Sequence, residues 1–215
     1  MDKNELRKQT VMARYGVDNV AKLAKVQDKR RSTFASHRPM IYYEQPQYDH
    51  TINADDCMVY KLNKDVADQW LDTNYILKAP RGNVLSLGLV KDDVIYAIMT
   101  FKKPKNPEYL VELSRLAMLP GYNVINGYDK LSKYASDFGL YNIVAYVRTS
   151  FDDVKYYEDM GMKYVRSIQP TKWWTRNNEF MSDASRRQYE YTQEMLLYDG
   201  WFPVYDCGQK VYVFE

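Results

Sequence analysis

The sequence predicts a mixed α/β fold in which a central sheet is flanked by helices and preceded by a short basic helical arm. Three observations predict it. Apolar residues make up 46% of the chain and charged residues 27%, the balance of a globular protein. From Cys57 onward, stretches of two-residue apolar alternation interleave with stretches of helical period. Antiparallel strand signals come first, and strand–helix–strand crossovers follow. The 215 residues suffice for one core of ordinary size with an appendage.

Residues 4–36 read as two helices. Leu6, Val11 and Met12 mark the apolar face of the first, and Gly16 in "YGVD" breaks it. Asp18 or Asn19 can cap the second. That helix carries Val20, Leu23, Ala24 and Gln27 on one side and Lys22, Lys25, Lys29, Arg30 and Arg31 around the rest. Residues 1–38 hold ten Lys/Arg against four Asp/Glu, whereas the other residues hold 20 against 24. A basic arm on a mildly acidic body points to a polyanion partner, DNA first. A solvated basic helix is the alternative reading. Residues 39–56 are polar with two prolines and read as a linker to a body spanning 57–215.

Within the body, "CMVYKL" reads as a strand and "NKDVADQWLDTN" as a helix with Asn63 as its cap. "NVLSLGLV" and "VIYAIMTFKK" form a hairpin about the turn at Asp92–Asp93, and "EYLVELSRLAML" is the next strand. A turn bearing Pro120, Gly121, Asn126 and Gly127 then leads into the helix "GYDKLSKYASDFG", stopped by Gly139. "YNIVAYVRT" is a strand, "FDDVKYYEDMG" a short helix stopped by Gly161, and "MKYVRSI" and "KWWT" are strands. Residues 183–199 read as mostly helical, and "WFPVYDCGQKVYVFE" as a closing hairpin turning at "CGQ".

Two cysteines, Cys57 and Cys207, without CxxC spacing fit a reducing cytoplasm. With only two histidines they argue against a structural zinc site, and no metal is expected. No apolar run reaches the length that spans a bilayer, and "MDKNELRKQT" lacks the apolar core of a secretory signal.

The stretch that carries chemistry is "LSRLAMLPGYNVINGYDKLSKYA". A strand opening through a Gly-bearing turn into a helix leaves amides unpaired at the positive end of the helix dipole, where phosphate binds. The candidate donors are the amides of Val124, Ile125, Asn126, Gly127 and Tyr128, with Lys130 adding charge. Neither GxGxxG nor GxxxxGK[ST] is present, so no dinucleotide fold or P-loop is predicted. An ordinary strand-to-helix turn is the other reading. Arg115 lies mid-strand, where burial is costly unless it faces a groove or a partner. Glu112 shares a face with Ser114 by the two-residue period and is a candidate base, or else a solvated carboxylate. Of Trp173 and Trp174, one faces outward to stack on a base or to cover a hairpin. Arg148, Lys172, Arg176, Arg186 and Arg187 form a basic rim or a scattered solvated surface.

The element order resembles the GNAT family of N-acetyltransferases. "YYEDMGM" resembles that family's late helix, with Tyr157 four residues before Gly161. A closer resemblance, through "VADQWLDTNY", "VELSRLAML" and "NVINGYDKLSKY", is to phage-encoded GNAT-like proteins of the Mom DNA-modification type. "ARYGVDNVAKLAKVQDKRRSTF" resembles a DNA-touching element of phage nucleases. The resemblance implies a GNAT-like sheet and acetyl-coenzyme A or another coenzyme A thioester as donor. It implies a carrier oriented by the backbone of Leu116, Ala117 and Met118 and a pyrophosphate held from Val124 to Lys130. It makes Tyr157 the proton donor to the leaving thiolate, Asp152 or Asp153 a shifted base, with Asp153 the one favoured, and Tyr75 a substrate contact where relatives carry histidine. Asn126 and Tyr128 stand where the family carries small residues. The expected function is acyl transfer to an amine, including one on a DNA base, in anti-restriction. A non-catalytic DNA- or protein-binding module on the same scaffold is the alternative.

Overall fold

The computed structural model describes residues 3–23, 25–26, 29–30, 47–150, 153–177 and 179–214. In chain order its elements begin with α1 (Lys3–Tyr15), β1 (Tyr48–Asn53), β2 (Met58–Lys61) and α2 (Lys64–Asn74). Next come β3 (Asn83–Lys91), β4 (Val94–Lys102), β5 (Val111–Met118), β6 (Gly121–Ile125) and α3 (Gly127–Asp137). Then follow β7 (Ile143–Arg148), α4 (Val154–Asp159), β8 (Lys163–Ile168), β9 (Lys172–Arg176) and β10 (Glu179–Ser182). The last are α5 (Asp183–Gln188), α6 (Gln193–Tyr198), β11 (Phe202–Tyr205) and β12 (Gln209–Phe214).

The mixed α/β class with a central mixed sheet is as predicted. Seven strands run in the order β2-β3-β4-β5-β7-β12-β8. The β2–β5 strands are antiparallel neighbours, whereas β5 and β7 pair in parallel, Val111–Leu113 against Ile143–Ala145. The chain divides into two compact units, one of Gln45–Tyr146, Asp153–Tyr164 and Tyr212–Glu215, the other of Met1–Glu44, Val147–Asp152 and Val165–Val211.

In the first unit, alternation along β4 sends its side chains to opposite faces. Ile98 packs with Ala117 under Ala67 and Leu71 of α2. Met99 and Phe101 line an interior space with Ser132 and Ala135 of α3. Helices therefore cover both faces. The Asn63 side chain caps α2 by accepting from the Asp65 amide at 3.0 Å. Gly139, at φ 83°, takes the left-handed conformation that ends α3.

The structure departs from the sequence reading in four places. Tyr48–Asn53, inside the predicted linker, forms β1. The predicted turn contains β6, and β1 pairs with it in parallel, Ile52 opposite Val124. The predicted closing hairpin does not form, because β11 pairs with β9 while β12 joins the central sheet. β10, read as part of no element, pairs with β9. Each departure is a pairing between segments distant in sequence or a short edge strand, and neither leaves a local periodic signal. Of the predicted second arm helix, Val20–Lys22 is a 3-10 turn capped by Asn19, and residues 25, 26, 29 and 30 are helical. Among the described residues no helix is long and apolar enough to cross a membrane.

In the second unit a three-stranded antiparallel sheet, β10-β9-β11, buries Trp174. The Trp174 indole N–H donates to Asp183 at 3.2 Å, and Arg186 Nε donates to the same carboxylate oxygen at 2.8 Å. Arg187 donates to the other oxygen at 2.9 Å. These donors, Arg186 first, hold the Asp183 carboxyl at about 2, below its ordinary 3.8.

Two predictions follow from this packing. A Cβ on Gly127 would stand 2.9 Å from Val124 Cγ1 and 3.4 Å from Leu89 Cδ1. Gly127→Ala is expected to cost about 1–3 kcal/mol by overpacking, read from a denaturant midpoint. Asp183 stays ionised to lower pH in the folded than in the unfolded chain, so its contribution is complete above about pH 4 and fades as pH falls toward about 2. Acid titration followed by tryptophan emission is expected to show about 1–2 kcal/mol lost across that window, and Asp183→Asn to abolish that part of the pH dependence.

Candidate functional site

The chemistry-bearing residues of the first unit gather on the face of the sheet that α2 partly covers. Antiparallel partners directly opposite each other point to the same face. Ile98, Thr100 and Lys102 of β4 pair with Ala117, Arg115 and Glu112 of β5. Thr100 also pairs with Ser86 of β3, and Lys102 with Asn83. Strict alternation would put Arg115 and Glu112 on opposite faces. A bulge at Ser114 inserts one residue into β5 and brings them to one face. The Ser114 hydroxyl fills the interrupted ladder, with Oγ 3.0 Å from both Thr100 O and Thr100 Oγ1.

Below the apolar patch under α2, the face is therefore polar. Glu112 is only 7% exposed, and Lys102 Nζ lies 2.9 Å from its Oε1. Asn83 Nδ2 donates to Ser86 Oγ at 2.7 Å. Ser86 and Thr100 are buried. The Arg115 guanidinium donates to Lys78 O, Leu77 O and Ser114 O at 2.8, 3.2 and 2.7 Å. It thereby clamps the segment after α2 to β5. Tyr75 ends α2 and packs against the Ala67, Leu71, Ile98 and Ala117 cluster. Arg115 mid-strand thus has the structural role that the sequence left open, and it remains beside the polar row. Sequence reading missed Lys102, Thr100, Ser86 and Asn83. Thr100 and Lys102 left a signal as polar residues at the two-residue period of an apolar strand, in "AIMTFKK", whereas Asn83 and Ser86 stand three residues apart across a register shift and left none.

The predicted anion cradle is more crowded. Asn126 caps α3 with a left-handed backbone, φ 56°, and no side-chain hydrogen bond to the helix. The first-turn amides of α3 therefore lack that cap. Gly127 is buried, and its missing Cβ faces Val124 and Leu89 rather than a ligand. Val124 and Ile125 belong to β6 and pair with β1. Lys130 Nζ donates to Ala54 O at 2.9 Å and Cys57 O at 2.8 Å, tying the turn after β1 to the start of α3. Tyr128 is buried edge-on to Tyr156, ring centroids 5.0 Å apart. Burial and a hydrogen bond with Tyr48 push the Tyr156 phenol well above its ordinary range. A bulky Tyr128 thus stands at the helix start with its ring packed inward. Cys57 is buried in the same region, and desolvation raises its thiol.

Tyr157 is 6% exposed and stacks on Tyr212 at 6.0 Å, and the Tyr212 hydroxyl donates to Glu158. Asp153 accepts the Lys155 amide at 2.9 Å as the cap of α4, which turns its carboxylate to a local structural task. Leu116, Ala117 and Met118 form the C-terminal half of β5. Arg148 and Trp173 belong to the second unit; Arg148 is exposed, and Trp173 donates to Asp206 at 3.3 Å. In the arm, Lys22 pairs with Asp18 at 2.7 Å, Lys25, Lys29 and Arg30 are exposed, and Arg31, like Asp152 of the body, lies outside the described residues. Among the described residues no cluster of His, Cys, Asp and Glu is placed to hold a metal ion.

No family model matches this chain, and no curated protein does. Among solved structures, it is similar to a tandem GNAT protein from the clavulanic acid biosynthesis pathway, solved without AcCoA. That match has a TM-score of 0.40 at 14% identity over 55% of this chain and 47% of the other. It is also similar to Arabidopsis thaliana Naa50 in complex with the bisubstrate analogue CoA-Ac-MVNAL, with a TM-score of 0.42 at 17% identity over 53% of this chain and 87% of that one. The chain thus spans about half the length of the tandem protein.

Proposed function

We propose that this chain is a GNAT-like acyltransferase that moves an acyl group from a coenzyme A thioester to an amine. The observation that carries this reading is the helix start Asn126–α3, left without a side-chain cap after the chain leaves β5, a strand that also carries the buried carboxylate Glu112. Two further features support it. The sheet changes from antiparallel to parallel pairing at β5, and β5 meets β7 through the N-terminal residues of both strands. The reading requires the two strands to diverge beyond that point, which leaves the backbone of Leu116–Met118 to orient a carrier.

The residues fit the donor through backbone groups. The first-turn amides of α3, set free of a side-chain cap by Asn126, would hold phosphate oxygens. Lys130 contributes charge near that helix start while its ammonium is shared with two carbonyls. A coenzyme A thioester, when bound, supplies an activated acyl carbon and a thiol leaving group. Glu112 takes the proton that the amine nitrogen loses, at a carboxylate held in place by Lys102. Tyr157 is the proton donor of this reading, a buried residue whose ring stacks on Tyr212. The acceptor amine belongs to a DNA base, delivered by the basic arm and flipped from a duplex to reach the site. The phage setting and the anti-restriction role rest on the sequence resemblance.

Calorimetric titration with acetyl-coenzyme A, followed by other coenzyme A thioesters, tests the donor. Binding is expected in the micromolar range, on the order of −8 kcal/mol. Asn126→Asp keeps the left-handed backbone accessible but sets a carboxylate at the helix start, and it should weaken binding at least tenfold with the melting temperature retained. Absence of binding by the folded protein to every thioester would sink the reading. DNA affinity is expected to fall steeply with salt, with a slope reduced by deletion of residues 1–38; a slope unchanged by the deletion would remove the arm from the proposal.

A further inference from the structure

We infer that the edge strand β2 pairs with β2 of a second copy of this chain, antiparallel and around a two-fold axis at Tyr60, so that two central sheets join into one. Such pairing lies outside the acyl-transfer reading and does not depend on it. Every residue involved belongs to the first unit.

The backbone of β2 is what calls for a strand. Among the described residues β2 has a ladder partner on one side only, β3. The Leu62 amide donates to Ser86 O at 2.9 Å, continuing the register that sets Tyr60 opposite Gly88 and Met58 opposite Val90. Hydrogen-bonded pairs recur at every second residue of an antiparallel ladder, so Met58 and Tyr60 turn their backbone groups to β3. Val59 and Lys61 direct theirs outward in the plane of the sheet, where an added strand can satisfy them. Natural edges are blunted by proline, by bulges or by charge. β2 has no proline and no register shift, and its one charge, Lys61, reaches toward the Phe138 ring at the end of α3, 5.9 Å from its centroid. Met58 and Tyr60, 64% and 51% exposed, share one face. Tyr60 stands opposite a glycine that Leu62 overhangs, since a Cβ on Gly88 would lie 2.7 Å from Leu62 Cδ1. β3 thus offers Tyr60 no directly opposite side chain to cover it.

Charge and symmetry select a second copy as the occupant. The ends of the strand carry opposite signs, Asp55 and Asp56 before it and Lys61 and Lys64 at its close. An antiparallel copy brings the acidic end of each strand beside the basic end of the other, and an axis at Tyr60 sets Asp56 opposite Lys64. A parallel copy would set like beside like. The pairs these groups already make, Asp56 with Lys91 at 3.8 Å and Lys64 with Asp68 one helical turn on, lie on the surface and cost little to rearrange. The outward groups also fix the register. An axis at Tyr60 pairs Val59 of one copy with Lys61 of the other, twice by symmetry, and each pair exchanges two backbone bonds. An axis at Val59 would instead engage Cys57, whose amide donates to Ala54 O and whose carbonyl accepts from Lys130. An axis at Lys61 would engage Asn63, whose carbonyl accepts the Ala67 amide at 3.0 Å. With the axis at Tyr60, the two Tyr60 rings meet as a non-hydrogen-bonded pair, the closer kind, and Met58 lies opposite Leu62.

The test is analytical ultracentrifugation of the full chain, where a monomer–dimer equilibrium with a dissociation constant on the order of 10 µM is expected. Val59→Pro removes an outward N–H and leaves the β3 ladder intact, so it should raise that constant at least tenfold with the melting temperature retained. Tyr60→Lys sets two ammonium groups together on the axis and should do the same, which decides the matter where the proline variant fails to fold. Tyr60→Cys should form a disulfide-linked dimer on mild oxidation, because a non-hydrogen-bonded pair holds its Cα atoms about 4.5 Å apart, within the reach of a disulfide. Lys61→Cys, which meets Val59 instead, should cross-link at least tenfold more slowly; the native Cys57 and Cys207 are buried. A wild type that stays monomeric to about 100 µM, a dimer unmoved by the two edge variants, or equal cross-linking of the two cysteine variants would overturn the inference. A monomer in which the Val59 and Lys61 amides exchange slowly would give the edge to another segment of this chain, and would overturn it as well.

Discussion

The pairing of β4 with β5 sets the arrangement of nearly everything described for the first unit. One residue too many in β5, at Ser114, breaks the alternation of that strand. Without it, Arg115 would face away from Glu112. With it, Lys102, Glu112 and Arg115 come to one face beside the buried hydroxyls of Thr100 and Ser114. A bulge leaves a backbone group without its ladder partner, and here the Ser114 hydroxyl supplies a bond to Thr100 O. The same displacement aims Arg115 at the carbonyls of Leu77 and Lys78. The segment after α2 is thereby held by a half-buried guanidinium that donates to three backbone carbonyls, while Lys102 pairs with Glu112.

The start of α3 shows a second constraint, close packing at a helix entrance. Gly127 is required by Val124 and Leu89, which would meet any Cβ at its position. Lys130 reaches back to the 3-10 turn Ala54–Asp56, so a residue of the helix's first turn anchors the segment that follows β1. Tyr128, Tyr156 and Tyr48 close the same corner with ring and hydroxyl contacts. The entrance is thus built mainly from structure, and what it offers a ligand is backbone: the amides that Asn126 does not cap. This explains how a turn with no recognised phosphate motif can still keep the electrostatics of a helix start.

These two features divide the labour in the proposed reaction. The uncapped amides are sequence-tolerant and would hold any phosphorylated carrier. The polar row would serve the acceptor side, where Lys102 holds the Glu112 carboxylate. The ion pair with Lys102 orients that carboxylate, and orientation of a reacting group is itself a large contribution to rate. The same logic makes Lys102 as consequential as Glu112, although a lysine near the end of a strand reads in sequence as an ordinary solvated charge.

By itself the sequence determined the mixed α/β class, the order of the body's main strands and helices, and most helix boundaries. Those follow from periodicity and from local caps such as Asn63 and Gly139, which act within a turn of the chain. It also singled out Glu112, Ser114, Arg115 and the Asn126–Gly127 turn by residue type. Only the tertiary structure decided their roles. Strand register is set by partners that lie far away in sequence, so the Ser114 bulge, the Lys102–Glu112 pair and the Arg115 clamp could not be read from spacing. The parallel β1–β6 pair was hidden for the same reason, inside stretches whose polarity and prolines signalled linker and turn. Tyr157, Asp153 and Lys130 were chosen for chemistry, and burial, helix capping and two backbone carbonyls then defined what each of them does in the fold. Alternation and capping are local physics and survive in one dimension; register, bulges and charge pairing are long-range and exist only once the strands have met.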